Sequence, residues 1–246
     1  LIALSPTLAQ AGIYNVQSIL ATEAEPGLSG AISASSDWRT GNIDYLFLSA
    51  TPLARYRSGK HLLIGISQIN HKTSKGTRII SRFFEHLRYR YQLTEGVVAE
   101  TFAQHEYDAV KRLQLRALVG AGPKLQLVNQ KSFGLDLGVA YMLEYERLRD
   151  DDALDAGATD LQHRNSTYLV GRYEMDERVQ LVETMYVQPR ITGGSDIRIL
   201  NESRLSFKLT ERLSFSTVFS IAYDSRPPDT IKKVDTALIS SLTLEL

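Results

Sequence analysis

The sequence predicts an all-β fold, a transmembrane antiparallel β-barrel of about 12 strands. Three observations predict it: polar and apolar residues alternate along most of the chain, the alternating segments are long, and short connections take turns with longer ones. A two-residue period places successive side chains on opposite faces of a strand. One face can then meet lipid while the other lines an enclosed interior.

The clearest alternation lies in the segment 82–93, RFFEHLRYRYQL. Phe83 and Tyr89 fall on one face of an extended chain, whereas Arg88 and Arg90 fall on the other. As a helix, the same segment would scatter its arginines around the cylinder. The pattern therefore favours a strand.

The length of the alternating segments favours a membrane barrel over a soluble sandwich. Globular sheets use strands of about 5 or 6 residues, whereas a tilted membrane strand needs about 9 to 11 for the hydrocarbon alone. No run approaches the roughly 18 apolar residues of a membrane helix, which excludes a helical membrane protein. The predicted strands are 28–38, 43–56, 61–71, 79–93, 97–108, 111–128, 132–147, 165–175, 179–190, 197–209, 213–224 and 234–246.

The connections alternate between short and long, which is typical of outer-membrane barrels with tight periplasmic turns and longer outer loops. An even number of strands also returns both termini to the same side. The predicted short turns are 58–60, 94–96, 176–178 and 210–212, and the predicted longer loops are 72–78, 147–165, 192–196 and 225–233.

Composition narrows the function classes. Lys plus Arg is 28 and Asp plus Glu is 28, so the net charge is zero and nothing draws the chain to nucleic acid. The absence of cysteine excludes disulfides, thiolate nucleophiles and Cys-based zinc sites. We expect no cofactor.

The N-terminus resembles the end of a secretory signal. An apolar stretch runs to Ala9-Gln10-Ala11, which has the form of an A-x-A cleavage site. We therefore predict the end of a signal peptide over 1–11, a periplasmic N-terminal arm over 12–26 and the barrel over 27–246. The alternative is that the first residues are an apolar N-terminal arm.

The charged faces predict a lumen, because a Lys or Arg facing lipid at the bilayer midplane costs about 2 to 4 kcal/mol. The sign of the charges on this face alternates from one strand to the next, and cross-strand neighbours of opposite charge attract each other. The predicted lumen-lining residues are Arg82, His86, Arg88, Arg90, Glu100, Glu106, Arg112, Arg116, Lys124, Asp136, Glu144, Glu146, Arg172, Glu174, Arg198, Glu202, Arg204 and Lys208.

Two functions are compatible with such a lumen. It is either a narrow channel whose charged walls select ions or small solutes, or a closed structural or interaction barrel filled by Arg–Glu pairs. About twelve strands lie between barrels that side chains just fill and wide, open porins.

No catalytic or metal-binding motif emerges. A barrel lipase would need a Ser, a His and an orienting carboxylate or amide together near the membrane boundary. His105 is followed by Glu106, but no G-x-S-x-G elbow is present. The acidic run 150–152 misses the spacing of a calcium loop. We expect that the protein is not an enzyme and has no metal site.

The C-terminal third resembles a known family. Tyr223-Asp224-Ser225-Arg226-Pro227-Pro228, then Lys233-Val234-Asp235-Thr236 and a last alternating strand, is similar to the YdiY-like family of salt-induced outer membrane proteins. Gly41-Asn42 and the hairpin 209–214 fit its other motifs. The resemblance covers roughly 27–246. It implies a barrel in the outer membrane of a Gram-negative bacterium, with no established activity and no catalytic residues. The expected partners are membrane lipids, lipopolysaccharide, the barrel assembly machinery and an envelope protein.

Overall fold

The computed structural model describes residues 13–17, 26–41, 44–192, 195–210 and 213–244. The predicted signal-peptide residues 1–11 lie outside them. Twelve strands follow one another along the chain and confirm the predicted all-β class. Their bounds, from β1 to β12, are Gly27–Arg39, Tyr45–Ser58, His61–Ser74, Thr77–Thr94, Val97–Asp108, Leu113–Asn129, Phe133–Leu148, Thr159–Glu174, Val179–Pro189, Ile197–Lys208, Leu213–Asp224 and Val234–Leu244.

All twelve strands form a single antiparallel meander in chain order. The sheet curves until side chains of well-separated strands meet: Tyr168 on β8 donates a hydrogen bond of 2.6 Å to Glu100 on β5. We call the space enclosed by the inward faces the lumen. Among the described residues, no hydrogen-bonded ladder joins the two edge strands β1 and β12, and no helix is long and apolar enough to cross a membrane.

Alternation along β4 shows how sequence sets the facing of a strand. Phe84, Arg88 and Arg90 are buried in the lumen, whereas Leu87 and Tyr89 face outward. A two-residue period requires this division. It gives the sheet an apolar outer surface around a charged interior.

We call the two ends of the barrel the short-turn end and the long-loop end. The short-turn end carries the described connecting residues 59–60, 95–96, 130–132, 175–178 and 209–210, and the long-loop end carries 40–41, 44, 75–76, 109–112, 149–158, 190–192, 195–196 and 225–233.

Two predicted loops at the long-loop end are wrong in extent. The predicted loop 72–78 is a two-residue turn, in which Lys75 and Gly76 both have positive φ. The predicted loop 147–165 shrinks to 149–158, because β8 begins at Thr159. In both places the strands continue beyond the apolar band, where most residues on both faces are polar and the alternation that marks a strand in the sequence is weak.

The start of β6 departs from the predicted register. The alternation of apolar and polar residues through the segment 112–128 would place Leu113 on the lipid face, yet it is 1% exposed, while Gln114 is exposed. A β-bulge between Leu113 and Leu115 reverses the facing at this point, because an extra residue on one strand shifts the alternation by one.

The N-terminal segment also differs from expectation. We predict a periplasmic arm over 12–26, but residues 13–17 of it lie inside the lumen, with every one of these five residues at most 8% exposed. Ile13 packs against strands β8 to β11, and Tyr14 and Val16 pack against β2 to β4. The lumen therefore contains a piece of the chain besides the wall.

Candidate functional site

The lumen near the long-loop end is organised around one carboxylate, Glu144 on β7. Arg198 Nη1 donates to both of its oxygens at 2.8 and 3.0 Å. Arg164 Nε lies 3.3 Å from Oε1 and Arg116 Nε 3.8 Å from Oε2. Glu146, on the same face, accepts from Arg116 at 2.6 Å and from Arg198 at 3.1 Å. Three arginines from three strands thus converge on two carboxylates.

Further acids complete this network, which we call the Glu144 network. Arg198 Nε lies 3.0 Å from Asp224, Arg116 Nη1 lies 3.1 Å from Glu106, and Arg164 pairs with Asp196. The nearby pair of Arg82 and Asp108, 3.0 Å apart, continues it along the wall.

Burial in the Glu144 network is nearly complete. The side chains of Arg164, Glu106 and Glu144 are at most 1% exposed, and Arg198 is 4% exposed. Charges removed from water this far are tolerated only when each has an opposite partner. The network is therefore a filled layer of interlocked ions.

A second group lies toward the middle of the lumen, around Glu100. This carboxylate accepts from Arg90 Nε at 2.6 Å, from Arg88 Nη1 at 3.2 Å and from the Tyr168 hydroxyl at 2.6 Å. The Arg88 guanidinium also lies 5.1 Å from the centre of the Phe102 ring and 5.9 Å from that of Tyr168. Cation–π attraction adds to the ion pair at such distances.

Two glycines leave the space that the Tyr168 and Phe102 rings occupy. A Cβ on Gly138 would lie 2.2 Å from the Tyr168 ring, and one on Gly120 would lie 2.3 Å from the Phe102 ring. A strand glycine commonly marks such a close approach. The rings therefore lie against the wall and hold Arg88 between them.

Arg112 does not line the wall as predicted. It lies in the connection before β6 with φ of 58°. Its guanidinium binds Asp151 Oδ1 and Asp155 Oδ1, both at 2.6 Å, and the Asp229 carbonyl at 2.9 Å. We call these contacts the loop clamp, because they tie the loops 149–158 and 225–233 together over the long-loop end.

Hydrogen bonding in the loop clamp shifts two pKa values. The bonds from Arg112 lower the pKa of Asp151 to about 2. Burial acts to raise the pKa of Asp155, but the bonds from the Asp229 N–H and from Arg112 outweigh it, so this pKa is also lowered. Both carboxylates are ionised at neutral pH.

Toward the short-turn end the charges are fewer and less enclosed. Lys124 Nζ lies 3.0 Å from Asp136, and Arg204 lies 3.9 Å from Glu202. The predicted Glu174 and Lys208 are exposed at the ends of their strands, and Arg172 lies beside Gly134.

The histidines do not assemble a catalytic site. His86 faces inward, 3.2 Å from the Gln104 amide oxygen. His105 faces outward, with Nδ1 3.8 Å from Glu85. Ser67 lies opposite Glu85, and Glu85 lies opposite His105, so the acid stands between the serine and the histidine. A catalytic triad needs the histidine between the serine and the acid. In the described ranges no group of three or more His, Asp or Glu could hold a metal ion.

Sequence reasoning missed several members of these groups. Arg164 lies in a segment predicted as loop, and Asp196 and Asp224 lie at strand ends, where facing is ambiguous. Tyr168 and Arg172 are an even number of residues apart on β8, so a period of two places both side chains on the inward face. Large aromatic side chains, however, are expected on the lipid side.

The curved twelve-stranded sheet and its charged interior define a porin-like β-barrel. A solved structure described as "NanC porin structure in rhombohedral crystal form" has a similar fold, with a TM-score of 0.53 and 9% identity over 88% of this chain and 100% of that chain. This likeness concerns the fold alone. A comparison with curated protein sequences found no match. The profile of the family described as "Protein of unknown function, DUF481" matches residues 32–245, and the chain belongs to this family.

Proposed function

We propose that the protein is an outer-membrane β-barrel of a Gram-negative bacterium that is closed to through-flow and acts as a structural or interaction protein of the envelope. The porin-like fold and the apolar outer surface support the location. The resemblance to the YdiY-like salt-induced proteins supports it further. The lipids and lipopolysaccharide of that membrane are the proposed surroundings, and the barrel assembly machinery inserts the chain.

The observation that carries this proposal is the packing around Glu144. Arg116, Arg164 and Arg198 reach this carboxylate from β6, β8 and β10, and none of their side chains is more than 5% exposed. A water-filled path beside these groups would expose them. Their burial supports a lumen that is filled at this level.

Conductance in planar bilayers tests the proposal. We expect the full chain, folded and inserted, to remain silent at all voltages, beside a porin of known conductance inserted in the same way. Steady current steps would overturn it.

A narrow channel is the second candidate. The lesser burial of Lys124, Arg172 and Arg204 toward the short-turn end favours it. A channel would show steps whose ion preference changes in Arg88→Glu or Glu100→Arg, because these side chains project into the lumen. We propose no enzymatic activity in either case; detergent-phase ester hydrolysis abolished by His105→Ala would contradict this.

A further inference from the structure

The segment Ile13-Tyr14-Asn15-Val16-Gln17 lies within the lumen and contacts two parts of the wall. Ile13 belongs to an apolar cluster with Tyr168, Val182 and Leu200 from strands β8 to β10. Tyr14 and Val16 belong to a different cluster, formed by Leu53, Ile64, Ile66 and Phe84 from strands β2 to β4. The segment therefore buries apolar side chains on both sides.

One aromatic contact fixes the segment on the β4 side. The rings of Tyr14 and Phe84 are stacked, with centroids 3.7 Å apart and planes inclined by 17°. Phe84 is itself 2% exposed. Stacked aromatic pairs attract each other beyond the effect of the apolar area that they bury.

Two polar contacts bind the polar side chains of the segment, which alternate with the apolar ones. Asn15 Nδ2 donates to Glu202 Oε1 on β10 at 2.9 Å, and Arg90 Nη2 on β4 donates to Gln17 Oε1 at 2.9 Å. In a sheet of twelve strands, β4 and β10 are six positions apart. The two contacts thus lie on opposite walls.

The segment also supports its own bent shape. The Gln17 N–H donates to Asn15 Oδ1 at 3.0 Å, and the Val16 N–H donates to the Tyr14 carbonyl at 3.1 Å. An asparagine that accepts from the backbone two residues later is a common turn-forming contact. This turn lets five residues face both walls.

We propose that the lumen contains a binding site for the chain's own residues 13–17, which lie across it as a plug. The site supplies an apolar surface on each wall, the carboxylate of Glu202 for the Asn15 amide and the guanidinium of Arg90 for the Gln17 amide. The plug is a barrier separate from the Glu144 network. The inference rests on the proposed barrel, but its test measures the position of residues 13–17 and not the conductance of the protein.

Paired cysteines test the plug, because the natural chain has no cysteine. In the full chain, Asn15→Cys combined with Glu202→Cys is treated with a short bifunctional methanethiosulfonate after folding and membrane insertion, because a contact between the ends of two side chains leaves their Cβ atoms too far apart for a direct disulfide. Its matched control combines Asn15→Cys with Ser203→Cys, since Ser203 is the next residue on β10 and faces outward. We expect an intramolecular crosslink, seen as a shift in gel mobility reversed by reductant, in the first pair and its loss in the control.

A second pair of cysteines tests the proposal independently if the first variant fails to fold. Tyr14→Cys with Phe84→Cys probes the opposite wall, and Tyr14→Cys with Phe83→Cys is its control, because Phe83 faces outward. Folding is checked by the different gel mobilities of heated and unheated samples.

Three outcomes would overturn the plug. They are equal crosslinking of test and control pairs, no crosslinking in folded protein, and crosslinked dimers, which would place the segment in a second copy. Conductance of the natural chain would overturn the closed-barrel proposal and leave the crosslinking result standing.

Discussion

Glu144 on β7 and Arg198 on β10 are joined by hydrogen bonds of 2.8 and 3.0 Å, although β8 and β9 separate their strands in the sheet. Such a contact spans the curve of the wall and is possible only where the inward faces converge. The ion pairs are therefore part of the packing of the barrel, and the loss of a single charge is expected to lower the free energy of unfolding.

Removing the charge of Glu144 is expected to destabilise the barrel. Glu144→Gln keeps the size of the side chain but leaves Arg116, Arg164 and Arg198 with less compensation in a buried setting. Breaking a buried pair costs about 3 to 5 kcal/mol, and we expect the lower end, because Glu146 and Asp224 still face Arg198. Urea titration of the folded protein in detergent, followed by gel mobility, measures the free energy of unfolding.

The exposed loop residue Asp152 provides the control for that experiment. Asp152→Asn removes the same charge at the same end of the barrel, and we expect no measurable change. A Glu144→Gln variant as stable as the natural chain would show that the network is not a determinant of stability.

The loop clamp is expected to open in acid. The pKa of Asp151 is lowered from 3.8 to about 2, so its stabilising contribution is present above about pH 4 and is lost as the pH falls to about 2. Pepsin cleavage within the loop 149–158 measures this opening: we expect protection at pH 4 and cleavage at pH 2. Arg112→Gln should be cleaved at pH 4 already. Equal protection of both proteins at pH 4 would contradict the clamp.

The sequence predicted the strands well, because lipid on one side and ions on the other impose a strict period of two. Arg88 and Tyr89 were assigned to opposite faces on that ground alone. Arg112 was misplaced because a bulge at Leu113 breaks the period, which a single strand does not reveal. The plug could not be predicted at all: its segment has no period, and Asn15 meets Glu202 across 187 residues of sequence.

Lys111 is expected to lower stability at neutral pH. The residue is only half-buried, but its Nζ is enclosed without a hydrogen-bond partner among the described residues. Burial lowers its pKa to about 8, although Glu106 and Asp108 act to raise it. Because the folded pKa lies below the ordinary lysine value of 10.5, stability should rise with pH between about 8 and 10.5.

A comparison of Lys111→Met with Lys131→Met checks this. Lys131 is exposed. We expect Lys111→Met to raise the urea midpoint at pH 7 and to abolish the rise toward pH 10, whereas Lys131→Met should behave like the natural chain. A natural chain whose midpoint is flat from pH 8 to pH 10 would contradict the assignment.

Two glycines of the wall should respond in opposite directions to the same substitution. Apart from its chain neighbours, no described residue has an atom within 4 Å of the position that a Cβ on Gly171 would take, so Gly171→Ala should be neutral or slightly stabilising, because alanine restricts the unfolded chain. Gly138→Ala would place Cβ 2.2 Å from the Tyr168 ring. Overpacking of this kind costs about 1 to 3 kcal/mol.

The double variant identifies the cause of the Gly138→Ala defect. If the ring is the obstacle, Tyr168→Leu should relieve the clash, so that Gly138→Ala costs less in the Tyr168→Leu background than in the natural chain. Such non-additivity is the signature of residues in contact. Tyr168→Leu also removes the hydroxyl that donates to Glu100 at 2.6 Å and has a cost of its own, so the comparison is made within each background by urea titration. Strict additivity would mean that Gly138 is required by the backbone, and not by the ring that holds Arg88 in place.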